Sequence, residues 1–351
     1  MAATVVDVST GQEFYNALRT AIDGRVINMA AGVYTPPATG AFKLLAPNVT
    51  INGDIGGGTV LTGSYDGLTF QKAKNATVRN VHAKGTGGRG FYAVEADNLQ
   101  LIDCSGIECG ISGILTSRSH YVFMQRFRGH QNKAQHGAYF SNHGMKPVIV
   151  DSSFEGNGRC GIQFNADLGQ PLPPVYFEKG QINDLLMKGV VCKRNGLVFA
   201  GASANLLGCW NATVEDCEFL DGLAGGLSLS NDHDQSPAGL EYGSKNCTFR
   251  RCRITGKRGI SLQNGSINAQ FIDCDVQVTG GPCIDWDATS TGAMVYRSPW
   301  TPGVGKKIWS GPSGMSGIPP QPAPDALRGT TGVVPIAALV PDDPNVGGLV
   351  V

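Results

Sequence analysis

The sequence predicts an all-β fold: a single-stranded right-handed parallel β-helix, a solenoid wound from coils of roughly 23 residues. Three observations predict it. A glycine precedes a short alternating strand again and again, as at Gly90-Phe91-Tyr92-Ala93-Val94, Gly113-Ile114-Leu115-Thr116-Ser117, Gly137-Ala138-Tyr139-Phe140-Ser141 and Gly161-Ile162-Gln163-Phe164-Asn165. A second strand follows about ten residues on, as at Leu99-Gln100-Leu101-Ile102-Asp103-Cys104 and Ala212-Thr213-Val214-Glu215-Asp216-Cys217. No helical pattern separates consecutive strands, which excludes a doubly wound sheet built from βαβ units.

Residues 1–34 are expected to cap the solenoid. Thr10 and Glu13 form a capping box, and Phe14, Leu18 and Ile22 recur at helical spacing before Asp23-Gly24 ends the helix. Arg25-Val26-Ile27-Asn28-Met29 then reads as a strand. A helix laid over the first rung hides an edge that would otherwise recruit another chain. The β-helix proper is expected over 35–297, with the glycine replaced at its last rung by Cys283. Residues 166–181 and 231–241 interrupt the repeat at the same corner of the coil, and loops gathered on one side of a solenoid commonly form its binding face.

Composition agrees and narrows the function. Glycine numbers 49, about twice ordinary usage, and charged residues make up only 16%. The 28 basic and 28 acidic residues balance, so neither nucleic acid nor an anionic membrane is expected as partner. Met1 to Asp7 lack the basic and apolar regions of a secretory signal, so none is expected, and no run approaches the roughly 18 apolar residues that span a bilayer. Leaderless export stays open. The ten cysteines form no paired CxxC motifs. Cys104, Cys217, Cys252 and Cys274 occupy matching places in separate coils, which reads as buried, reduced thiols filling a core.

The run His136-Gly137-Ala138-Tyr139-Phe140-Ser141-Asn142-His143-Gly144, with Pro147-Val148-Ile149, Gly156-Asn157-Gly158 and Gly161-Ile162-Gln163-Phe164-Asn165-Ala166-Asp167-Leu168, resembles the pectate-lyase-like superfamily. It is most similar there to the right-handed parallel β-helix repeat proteins of bacteria and phages. The resemblance covers about residues 4–297. It implies the fold, but this superfamily holds lyases, hydrolases, epimerases, tailspikes and structural proteins, so it implies no single activity.

Alternation predicts which side chains of the glycine-led strands point outward. That ladder reads Thr69/Gln71, Tyr92/Val94, Leu115/Ser117, Tyr139/Ser141, Gln163/Asn165, Asn205/Leu207, Ser228/Ser230, Ser261/Gln263 and Asp285/Asp287. A lyase of this fold needs an Arg or Lys base and carboxylates that gather Ca²⁺; a hydrolase needs several Asp on adjacent coils. Neither set is present on the ladder, so a non-catalytic role is expected. Tyr92, Tyr139, Gln163 and Asn165 are candidates to touch a saccharide, although stacked amides and hydroxyls also serve simply to bond one another. His136, Tyr139, Asn142 and His143, with Asp167 one coil above, could exchange protons with a substrate or merely cap turns. Asp232 and Asp234 could hold a cation or belong to a solvated loop, and no cofactor is expected.

Residues 298–351 carry ten of the 19 prolines and cannot form ladders or a core of their own. They are expected to be an extended tail whose apolar Ile336, Leu339, Val340 and Leu349 dock on a partner. Together these features favour a structural or adhesive component of an assembly, a phage virion protein such as a capsid decoration or spike. The expected partners are further copies in a trimer, or capsid and tail proteins, with polysaccharide as a contact. The alternative is a polysaccharide lyase or uronate C5-epimerase.

Overall fold

The computed structural model describes residues 4–37, 41–142, 144–166, 181–230, 243–298 and 300–306, and the backbone of 309–310. Each coil contributes one strand to each of three parallel sheets, and two strands per coil is therefore too few. Sheet 1 stacks the glycine-led strands, among them Phe91–Val94, Ile114–Ser117, Ala138–Ser141 and Ile162–Asn165. Sheet 2 stacks strands such as Gln100–Ile102 and Phe123–Gln125, and sheet 3 strands such as Ser105–Ile107 and Arg128–His130. Sheet 2 has 12 strands and the other two have 11 each. A small fourth sheet joins Gly144–Met145, Ile182–Asn183 and Cys209–Trp210 along the corner between sheets 1 and 2.

The third sheet is hidden in the sequence by a sharp corner. Residues at the end of each sheet-2 strand turn with a left-handed backbone: Asn80 (φ 55°), Asp103 (54°), Arg126 (50°), Asp151 (49°), Asp216 (54°), Arg251 (51°) and Asp273 (53°). Asn and Asp tolerate that region, so a corner forms without the glycine or proline that usually announces a turn. Arg has no such tolerance. Each of these arginines is instead tied to an aspartate one coil below: Arg126 to Asp103 at 2.6 and 2.7 Å, Arg251 to Asp216 at 2.6 and 3.0 Å, and Arg297 to Asp273 at 2.7 and 2.6 Å. The guanidinium hydrogen bonds hold the Asp103, Asp216 and Asp273 column together across the coils; those bonds lower the Asp103 and Asp216 carboxyls below their ordinary range.

At the N-terminal end, helix α1 (Gly11–Arg19) keeps the expected capping box, with the Glu13 amide donating to Thr10 Oγ1 at 3.2 Å. Phe14, Ala17 and Leu18 are buried, and the Phe14 ring meets those of Phe42 at 4.8 Å and Tyr34 at 6.0 Å. Ile22 does not join them. The helix stops at Thr20, whose hydroxyl turns back to Asn16 O, and Ile22 is left 55% exposed beyond it. The flanking strands Val5–Val8 and Val26–Met29 pair as the first rungs of sheet 2. Pairing also continues past Arg297: Trp300–Thr301 joins sheet 3 and 309–310 joins sheet 1.

The interior is one continuous column of apolar side chains, with ring stacks such as Phe140–Phe164 at 4.8 Å and Phe249–Phe271 at 5.1 Å. All ten cysteines are buried and unpaired within it. Their thiols donate to backbone carbonyls, as Cys104 Sγ does to Ile102 O at 3.3 Å, and burial pushes the Cys104 and Cys160 thiols up to about 12. Since the thiolate is the nucleophile, a thiol reagent at neutral pH is expected to label none of the ten in the native protein and all of them in denaturant. Appreciable native labelling, read by mass spectrometry, would contradict this packing.

Candidate functional site on the face of sheet 1

Register fixes which side chains form the outer face. Thr69, Tyr92, Leu115, Tyr139, Gln163, Asn205, Ser228, Ser261 and Asp285 stack in one row across nine coils. Gln71, Val94, Ser117, Ser141, Asn165, Leu207 and Ser230 form the second row. These are the rows that alternation predicts. Both inserted segments leave from sheet 1, after Asn165 and after Ser230, and the chain re-enters along the corner with sheet 2.

Much of the middle of this face bonds to itself. Asn165 Nδ2 donates to the Tyr139 hydroxyl at 3.1 Å, and Asn205 Nδ2 donates to Gln163 Oε1 at 3.4 Å. Asn142 Nδ2 donates to Ser117 Oγ at 2.9 Å. Asn165 is itself buried, and the Arg89 guanidinium lies 4.2 Å over the Tyr92 ring. Tyr92, Tyr139 and Gln163 keep part of their surface open, whereas Asn165 presents almost none.

His136 is brought beside Tyr139, ring centres 4.9 Å apart, but it points inward and is only 1% exposed. Its Nδ1 accepts from the Cys160 amide at 3.2 Å, which leaves the proton on Nε2 of a neutral ring. Burial, aided by the charge of Arg159, holds its pKa down at about 3. Of the two roles open to His136, proton exchange or turn capping, the sealed ring and its bond to the Cys160 amide fit the second. His143, Asp167, Asp232 and Asp234 lie outside the described residues, as do Ile336, Leu339, Val340 and Leu349.

The burial of His136 has a measurable consequence. The unfolded ring binds a proton below about pH 6.5 while the folded one does not until about 3, so stability from this group is complete above 6.5 and lost as pH falls toward 3. Between pH 7 and 5 the wild type is expected to lose about 2 kcal/mol more than His136→Gln, from that difference in proton uptake. Urea midpoints at the two pH values check it, and equal losses would refute the neutral ring.

An open depression forms farther along, meeting the self-bonded patch at Asn205. A cleft of about 250 Å³ has Asn205, Ser228, Ser261 and Asp285 as its floor. Arg258 and Pro282 line its wall from turns between sheets 3 and 1, and residues 200–202 and 224–225 add a lip. Leu197, Val198, Phe199 and Leu223 stand exposed beside that lip. Asp285 was visible as a last-rung ladder position. Arg258 was not, because it sits on a turn outside the strand alternation that alone marks outward residues. The other last-rung carboxylate, Asp287, is consumed by a turn, accepting from the amides of Asn264, Thr289 and Ser290 at 2.7–3.0 Å. Among the described residues no group of three or more His, Cys, Asp or Glu is arranged to hold a metal ion, and no helix is long and apolar enough to cross a membrane.

Comparison with known proteins agrees with this architecture. Residues 25–171 match the family described as right handed beta helix region. Among solved structures, the Streptococcus pneumoniae surface protein and adhesin PfbA superposes with a TM-score of 0.59 at 8% identity, covering 86% of this chain and 94% of that one. The Azotobacter vinelandii mannuronan C-5 epimerase AlgE4 A-module gives 0.52 at 13% identity over 90% and 100%. The alginate lyase from Paenibacillus sp. str. FPU-7 gives 0.50 at 13% identity over 88% and 98%. No curated protein sequence matches. The chain folds as a right-handed parallel β-helix. At these identities the likeness is one of fold alone.

Proposed function

We propose that this chain is a non-catalytic, structural or adhesive β-helix whose sheet-1 face contacts polysaccharide. One observation carries the reading: from Thr69 to Ser261 the front row of that face bears no charged side chain, only hydroxyls, amides, tyrosines and one leucine. Such a surface can hydrogen-bond sugar hydroxyls, but it offers no base for proton abstraction. The nearby imidazole, His136, is neutral and sealed. Immobilised polysaccharides are expected to retain the wild type and to release Ser261→Trp, which fills the cleft. Retention unaffected by that substitution would remove sheet 1 from the interaction.

Within this reading the chain serves as a component of a larger assembly, a phage virion protein such as a capsid decoration or spike, and associates as a trimer. The apolar Ile336, Leu339, Val340 and Leu349 in a segment rich in proline support it, since such residues gain by docking. Sedimentation of the full chain is expected to give a trimer that Ile336→Asp with Leu339→Asp dissociates. A monomeric wild type would end the proposal of self-assembly.

A second reading, a polysaccharide lyase or C5-epimerase, has one observation in its favour. Arg258 and Asp285 line the same cleft, a guanidinium and a carboxylate beside a floor of hydroxyls. Alginate or polygalacturonate incubated with the protein would then yield unsaturated ends absorbing in the ultraviolet, or an altered uronate ratio by NMR. Loss of that activity in Arg258→Ala would decide for the enzyme.

A further inference from the structure

We infer that a second saccharide site lies at the corner between sheets 2 and 3, away from sheet 1, and that it takes a neutral, hydroxyl-rich sugar unit. The inference goes beyond the sheet-1 reading and uses none of its residues. A cleft of about 580 Å³ opens at this corner. Its overhang comes from an enlarged turn. Between Thr50–Asn52 and Thr59–Leu61 the chain spends residues 53–58, whereas the next coil turns through Asn80 and Val81 alone. The turn is braced, because the Asp54 amide donates to Thr59 Oγ1 at 2.9 Å and the Gly58 amide donates to Asp54 Oδ2 at 3.3 Å. Ile55 stands at its tip, 90% exposed, facing the cleft.

The floor is where the corner's ion-pair ladder breaks. Asp103, Asp216 and Asp273 each have an arginine one coil above, but the position above Asp151 is Gly189, with φ of +64°. Asp151 is exposed with only the charge of Arg126 one coil below it, and Arg128 on the neighbouring sheet-3 strand is exposed with no ion pair among the described residues. His82 completes the floor. Its Nδ1 is taken by Ser105 Oγ at 2.9 Å, its Nε2 faces the enlarged turn, and burial, aided by the charge of Arg128, lowers its pKa. Asn80 adds an amide, and Ser153 a hydroxyl that also meets His130 Nε2 at 2.8 Å.

Chemistry selects the ligand. The lining carries Arg126 and Arg128 against Asp103 and Asp151, so its formal charge cancels and neither an anion nor a cation gains from it as a whole. The Arg128 guanidinium and the Asn80 amide stand near the Asp151 carboxylate, and sugar hydroxyls are able to satisfy donors and acceptors at once. The Ile55 side chain offers an apolar surface to the C–H face of a ring, which matches the mixed character of small-molecule sites.

The test is an array of immobilised neutral and acidic oligosaccharides probed with the full chain, with Asp151→Asn, Arg128→Ala and Ile55→Asp, and with Ser261→Trp as the sheet-1 variant. A set of neutral glycans is expected to lose at least tenfold in signal with Asp151→Asn and with Arg128→Ala at unchanged melting temperature, and to persist with Ser261→Trp. The site is overturned if no glycan depends on Arg128 or Asp151, or if the dependent ones are only acidic and vanish with added salt. Loss confined to Ser261→Trp would uphold sheet 1 and remove this corner, so the two failures are distinct.

Discussion

Replacing Asn157 with leucine is expected to destabilise the protein by about 3–5 kcal/mol, because it strands several buried polar groups at once. Asn132, Asn157 and Asn195 stack on three successive coils, each at most 1% exposed. Asn157 Oδ1 accepts from the Asn132 amide at 3.1 Å and from Asn132 Nδ2 at 2.8 Å. Its Nδ2 donates to Gly129 O at 2.9 Å and to Asn195 Oδ1 at 2.9 Å. Leucine has nearly the right volume, so the loss isolates hydrogen bonding from packing. Unsatisfied buried donors and acceptors each cost about 1–3 kcal/mol, and water has no route to replace the amide. Denaturant titration reads the loss, and a change below about 1 kcal/mol would show that the ladder is dispensable. Substituting Asn98, in an exposed ladder where its Nδ2 reaches Asn75 Oδ1 at 2.7 Å, is expected to change stability far less.

Gly113→Val is expected to cost more than about 3 kcal/mol, the upper end of what overpacked cores usually show. A Cβ at Gly113 would sit 2.5 Å from the carbonyl oxygen of Gly137 and 2.9 Å from that of Gly106. Both are backbone atoms held in ladders, Gly137 on the next coil and Gly106 on the sheet-3 strand of the same coil, so neither can yield by rotating a side chain. Gly67, Gly90 and Gly137 repeat the approach, each to the carbonyl of the next coil at 2.5–2.6 Å. The glycine that leads these strands in the sequence is thus a matter of space rather than of an unusual φ. A soluble Gly113→Val protein with unaltered melting temperature would contradict that explanation.

The fold was legible because two periods coincide, alternation within strands and the coil length between them. Phe91, Ile114, Ala138 and Ile162 stand in register at steps of 23 and 24 residues. The third sheet was not legible, because Asp103 and its column turn the chain through a left-handed backbone that no glycine or proline advertises. The site was half legible. Outward rows followed from alternation, but burial did not: His136 lies on the turn before a strand, where period-two reasoning has no force, and only the packing of the Cys160 turn on it reveals an inward ring. Arg258 and the 53–58 turn were missed for the same reason, since both sit between strands.

The stacking of one coil on the next also makes this protein a ruler. Its 11 rungs at about 4.8 Å each set the helix-capped beginning and the last described strand roughly 50 Å apart. That distance is quantised, because inserting or deleting a whole coil changes length by one rung while leaving every neighbour's hydrogen bonds in kind. Lineages can therefore adjust reach without redesigning a core. Whatever the two ends grip, the separation between them is written in the number of repeats.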